Sequence, residues 1–140
     1  AAVLLASEDK INEHKITPRA KIISHVSHAM EPLYFTKAPI SAIKKVLKKS
    51  NLDINDIDLF EINEAFSCVP MVAMKSLNIP DEKVNIHGGA VSLGHPIGAS
   101  GARILVTLLS ALERTNKKYG LACLCIGGGE ASAMIIERID

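Results

Sequence analysis

The chain has 140 residues, 48% of them hydrophobic and 22% charged, with 16 Lys and Arg against 15 Asp and Glu. That length suits one ordinary domain with a real core, and that composition excludes disordered and fibrous classes. The near-neutral charge and 4% aromatic content argue against nucleic acid as a partner, and no apolar run approaches the roughly 20 residues that span a bilayer.

The opening "AAVLLAS", residues 1–7, reads as a short buried strand. Because it starts on Ala1 with no leader-like segment, the chain is expected to begin partway into a longer protein. "SEDKINEHKI" then predicts a polar helix starting at Ser7, and "AKIISHVSHAM" predicts a strand. "PISAIKKVLKKS" places Ile40, Ile43, Val46 and Leu47 on one helical face and Lys44, Lys45, Lys48 and Lys49 on the other, with Pro39 in the first turn. The lysine face reads as solvated surface.

"NLDINDIDLFEIN" predicts a turn and then a strand over 57–62. The apolar residues between positions 64 and 77 fit a helix that Pro70 either kinks or starts. "SGARILVTLLSALERTNKK" predicts the strongest helix, starting at Ser100. Its polar positions Arg103, Thr107, Ser110 and Arg114 form one narrow stripe, the pattern of a central helix covered on most of its circumference. "LACLCI" and "SAMIIERI" read as two strands joined by the turn "GGGEA". Five strands alternating with helices make the class α/β, with a mixed, helix-covered sheet in one domain over 1–140.

Three segments break the pattern of a plain packed domain: "NEAF" at 63–66, "GHPIGASG" at 94–101 and "CIGGG" at 125–129. Each is expected just beyond a strand, where ligands collect in open α/β sheets. The spacing of Gly94, Gly98 and Gly101 fits neither a P-loop nor a dinucleotide fingerprint. It suits close approach of backbone to a ligand, with His95 at the mouth of a helix where developing negative charge is favoured. The plainer reading is that His95 packs in a tight loop; His14, His25, His28 and His87 lack that frame and read as surface or core residues.

Cys125 reads either as a small buried hydrophobe, like Cys123 on the same strand face, or as a thiol tuned by the N–H groups of Gly127, Gly128 and Gly129. Asn63 reads either as a helix N-cap or as a carboxamide fixing a water or a substrate carbonyl. Cys123 and Cys125 match no zinc pattern. The three cysteines have no framework spacing and are expected to be reduced thiols in an intracellular setting.

Taken together, "NEAF", "GGAVSLGHPIGASGAR" and "CIGGG", in that order and spacing, resemble the C-terminal domain of the thiolases over essentially the whole chain. The resemblance implies a three-layer αβα half with a mixed five-stranded sheet, the second of two similar halves in a five-layer molecule. It implies carbon–carbon bond making or breaking beside a thioester, with coenzyme A thioesters as substrates and neither a further cofactor nor a metal. Cys125 would be the acid/base thiol. His95, with a water held by Asn63, would form the oxyanion hole for an enolate, and His95 is also similar to the histidine that activates a nucleophilic cysteine in the other half. Cys68 does not correspond to that nucleophile. The N–H of Gly127 would serve a second oxyanion hole, and Phe66 and Ile97 would line the substrate pocket.

The partners so implied are acyl-CoA substrates, an N-terminal thiolase domain, and further copies in a dimer or tetramer. The expected setting is cytoplasmic, with a mitochondrial one as the alternative. "YFTKAP" and the short gap before "VNIHGGA" look closer to the acetoacetyl-CoA type than to the degradative long-chain type. The reading from a different class is a non-catalytic assembly module or structural fragment.

Overall fold

In the computed structural model, which describes residues 1–139, the side chains of one strand sort into two apolar clusters, and that sorting builds the layers. Along β3 (Tyr119–Ile126), Leu121, Cys123 and Cys125 enter one cluster, while Ala122 and Leu124 enter another. Period-two alternation sends neighbouring residues to opposite faces, so both faces of this strand are covered. The first cluster is completed by α2 (Ala38–Ser50) and α3 (Cys68–Leu77), the second by α5 (Ile97–Thr115). The result is a three-layer αβα arrangement.

The sheet has four strands in the order β1-β4-β3-β2. Strands β1 (Ala20–Ala29), β4 (Glu130–Arg138) and β3 pair antiparallel, whereas β2 (Leu59–Ile62) runs parallel to β3. The mixed sheet is as expected, but among the described residues the fifth strand is absent. Residues 1–6 take no strand conformation and Leu4 is 84% exposed. An apolar run becomes a strand only against an edge that pairs with it, and no edge of this sheet does so.

Several boundaries shift for local reasons. The polar helix α1 (Glu8–His14) is capped by Ser7, whose side chain accepts from the Lys10 N–H. Helix α2 buries Ile43, Val46 and Leu47 and exposes its four lysines, as the pattern predicts. Strand β2 starts at Leu59 because residues 54–56 form a 3-10 turn closed by an Asp53–Asp56 capping box. Helix α3 starts at Cys68, which puts Pro70 in the first turn, where its missing N–H costs nothing.

Helix α5 starts at Ile97, directly after Pro96, rather than at Ser100. Its Ile104, Leu108, Ala111 and Leu112 are buried on the sheet, but Ile97, Gly98 and Val106 are exposed. Within this chain it is therefore covered by one layer, not two. The approach to β3 is close: a Cβ on Gly120 would lie 2.8 Å from Leu108 Cδ1 and 2.9 Å from Leu112 Cδ1. That position accepts a side chain only if Leu108 and Leu112 shift to make room.

Candidate active site

The parallel pairing of β2 with β3 brings two of the three singled-out segments to the same end of the sheet. The ladder runs on past Ile62, because the Asn63 N–H donates to the Cys123 carbonyl at 2.9 Å. Asn63 and the "NEAF" loop thus leave the sheet beside the end of β3, which carries Cys125. The third segment follows the short helix α4 (Ala90–Leu93) rather than a strand, correcting the expectation for that loop. It reaches the same place because Val84 only bridges Phe60 before the chain turns.

Two residues that the sequence reading assigned no role hold this corner. Asn85 pairs side chain to backbone with β2: its Oδ1 accepts from the Ile62 N–H and its Nδ2 donates to the Ile62 carbonyl, both at 2.9 Å. The amide thereby stands in for the next strand. Nδ2 also donates to Glu64 Oε1 at 2.9 Å, and Glu64 Oε2 accepts from the Val91 N–H at 3.0 Å. The Glu64 carboxylate fills the space where Gly89 lacks a side chain, and a Cβ there would collide with it. Glu64 thus binds the "NEAF" loop to the start of α4, and the pair of glycines at 88–89 was the signal for that close approach.

Asn63 is 1% exposed and does not cap α3, whose N-cap is Ser67. Its Nδ2 lies 3.4 Å from His95 Nδ1 and 3.5 Å from His95 Nε2, so it rests against the ring without committing to either nitrogen. Its Oδ1 is buried without a hydrogen-bond partner among the described residues. A buried unpaired carbonyl oxygen is costly, which marks it as a place for a donor.

His95 is held from the other side by Ser100, with Nδ1 and Oγ 2.6 Å apart. Ser100 is buried in the first turn of α5, and its hydroxyl also lies 3.2 Å from the Pro96 carbonyl. The hydroxyl has one proton and two acceptors in reach. Given to Pro96, it leaves Oγ to accept from Nδ1–H, and Nε2 becomes a lone-pair base. Given to His95 Nδ1, it makes Nε2–H a donor. The earlier start of α5 is what puts Ser100 one turn inside the helix, facing the histidine.

Cys125 is 6% exposed, and burial pushes its thiol above the ordinary range. Burial pushes the fully enclosed Cys123 much higher, which leaves it an inert packing residue. Gly127 is exposed in the turn between β3 and β4, and a Cβ there would meet nothing within 4 Å; the same is true of Gly98 and Gly101. Phe66 is 58% exposed with its ring edge-on to Phe35, centroids 6.1 Å apart, and Ile97 is 83% exposed. The structure therefore joins Asn63, His95 and Ser100 directly, sets Cys125 on the adjoining strand end, and leaves Gly127, Phe66 and Ile97 open at the surface. Among the described residues, no group of three or more His, Cys, Asp or Glu side chains is placed to hold a metal ion.

The chain is thus a three-layer α/β domain in which a part-buried Asn–His contact lies beside a strand end that carries a thiol and leads into a glycine turn. The sequence family described as the thiolase C-terminal domain matches residues 16–138, and the chain belongs to it. It is 48% identical over 140 residues to acetyl-CoA acetyltransferase IA of Candida tropicalis, covering all of this chain and 35% of that protein. Among solved structures it resembles a thiolase of Ascaris suum in complex with coenzyme A, at 47% identity and a TM-score of 0.90 over 96% of this chain and 35% of that one. It also resembles human mitochondrial 3-ketoacyl-CoA thiolase in complex with CoA, at 40% identity and a TM-score of 0.94 over 96% of this chain and 34% of that one. The chain spans about a third of the length of the curated relatives it matches.

Proposed function

We propose that this chain is the catalytic C-terminal domain of an acetyl-CoA C-acetyltransferase, which condenses two acetyl-CoA into acetoacetyl-CoA and free CoA and runs the reverse thiolysis. The observation that carries the reading is the contact of buried Asn63 with His95, with its unpartnered Asn63 Oδ1, beside the strand end that bears Cys125. Ionised Cys125 takes a proton from the α-carbon of acetyl-CoA. The C–H electron pair becomes the enolate double bond and the carbonyl π pair moves onto oxygen. That oxygen then accepts from His95 Nε2–H and from a water whose other hydrogen satisfies Asn63 Oδ1.

The enolate carbon attacks an acetyl group carried by a nucleophilic cysteine outside this chain, the Gly127 N–H supports the oxyanion of the tetrahedral species, and its collapse breaks the C–S bond and releases that cysteine as thiolate. Ser100 gives His95 both states the cycle needs, a base when the nucleophile is activated and a donor when the enolate forms. A raised thiol suits Cys125 as the acid of thiolysis and makes it a strong base once ionised. Glycines at 98 and 127 make no packing demand inside the chain, which agrees with space kept for a substrate. The partners in this reading are acyl-CoA substrates, an N-terminal thiolase domain and further copies of the protein.

The test is deuterium exchange into the α-carbon of acetyl-CoA by the full-length protein. Cys125→Ser and His95→Ala are each expected to slow it at least about 100-fold. Exchange at the unmodified rate in either variant would refute the assignment and favour a non-catalytic module.

A further inference from the structure

One charged pair beside the site, a buried carboxylate with a partly buried guanidinium, takes no part in the mechanism above. Glu61 lies on the face of β2 that α5 covers, two residues before Asn63, and is 2% exposed. Its Oε2 accepts from Arg103 Nη1 at 3.3 Å, the polar side-chain link from β2 to α5 among the described residues. Arg103 sits three residues past Ser100, on the same helix that holds His95 through Ser100. The pair therefore joins the strand that ends in Asn63 to the helix turn that aims His95.

A leucine at position 61 would fit a sheet–helix interface without the cost of taking two charges out of water, so packing alone does not account for the pair. We propose that Glu61 and Arg103 are positioning residues that set the first turn of α5 against the end of β2, and so set the His95–Asn63 separation on which the enolate site depends. This rests on the functional reading above. The charged groups facing Glu61 are Arg103 from α5 and Glu64 from the loop after β2, while β3 presents the apolar Ala122. Burial lifts the Glu61 carboxyl to about 7, against the pull of Arg103 and with a small push from Glu64. The grip is complete when Glu61 is ionised and loosens as pH falls through neutrality.

The experiment measures α-proton exchange of acetyl-CoA by the full-length protein, resolved into kcat and KM across pH, for Glu61→Gln, Arg103→Met and Arg103→Lys, with His95→Ala alongside. Glu61→Gln and Arg103→Met are expected to lower kcat about tenfold with KM within about twofold, Arg103→Lys to recover most of that loss, and Glu61→Gln to remove the acid limb near neutrality. Unchanged kcat in Glu61→Gln or Arg103→Met, or equal losses in Arg103→Met and Arg103→Lys, would overturn the proposal. If Glu61→Gln does not fold, the contrast between the two Arg103 variants decides by the same criterion. Full exchange in His95→Ala would instead remove the functional reading itself, so the two failures are distinct.

Discussion

At the scale of single residues, burial makes Glu61 a group whose protonation and the protein's stability are linked. Desolvation raises its carboxyl from 4.5 to about 7, and the Arg103 guanidinium only partly opposes this. The native protein binds that proton more tightly than the unfolded chain does. The stabilising contribution is therefore complete below the unfolded-state value and is lost as pH rises through about 7. Between about pH 5 and about pH 8 this one group is expected to withdraw on the order of 2 kcal/mol, a slope that Glu61→Gln abolishes. Urea denaturation at the two pH values checks this; the same slope in both proteins would show that Glu61 is not its source. The prediction also separates stability from positioning, because the variant expected to gain relative stability at high pH is the one expected to lose turnover.

At the scale of elements, α5 connects the layers and the site. Its buried face meets β3 over Gly120 and Ala122, and its first turn carries Ser100. Gly120→Ala places a methyl group within 2.9 Å of both Leu108 and Leu112 and is expected to cost about 1–3 kcal/mol by overpacking, measured as a lower denaturation midpoint. A midpoint equal to the parent's would mean that α5 has slack against the sheet. The strand α5 covers is small-residued for this reason, a feature readable in "YGLACLCI" only once the helix opposite it is known. The site corner depends similarly on Asn85 and Glu64, whose bonds to Ile62 and Val91 join segments more than 20 residues apart.

At the scale of the whole molecule, the domain is covered unevenly. Val91 and Leu93 on α4, Ile97 and Val106 on α5, and Leu4 and Leu5 near the start are exposed, while β2 is buried along its whole length. Large apolar side chains left in water suit a surface that another chain covers. The isolated 140-residue chain is expected to self-associate, with a sedimentation coefficient that rises with concentration and falls back in Ile97→Asp and Val106→Asp. A single monomeric boundary at all concentrations would show that this face is tolerated in water.

Amino-acid order alone determined the alternation of helices and strands, the apolar and lysine faces of α2, the hairpin pairing of β3 with β4, and the three motifs from which the family is recognisable. These are local properties: periodicity, caps and turn chemistry act within a few residues. Tertiary structure decided that the sheet has four strands and that α5 is covered on one side, because pairing and burial depend on edges and faces supplied by distant segments. It also ruled out the helix-cap reading of Asn63, whose side chain lies against His95 while Ser67 takes the cap position. Ser100, Asn85, Glu64 and the Glu61–Arg103 pair gained their roles the same way. Each is an ordinary polar residue in the sequence, and only placement beside its partner, which for all but Ser100 lies far along the chain, turned its hydrogen-bonding capacity into a constraint on the site.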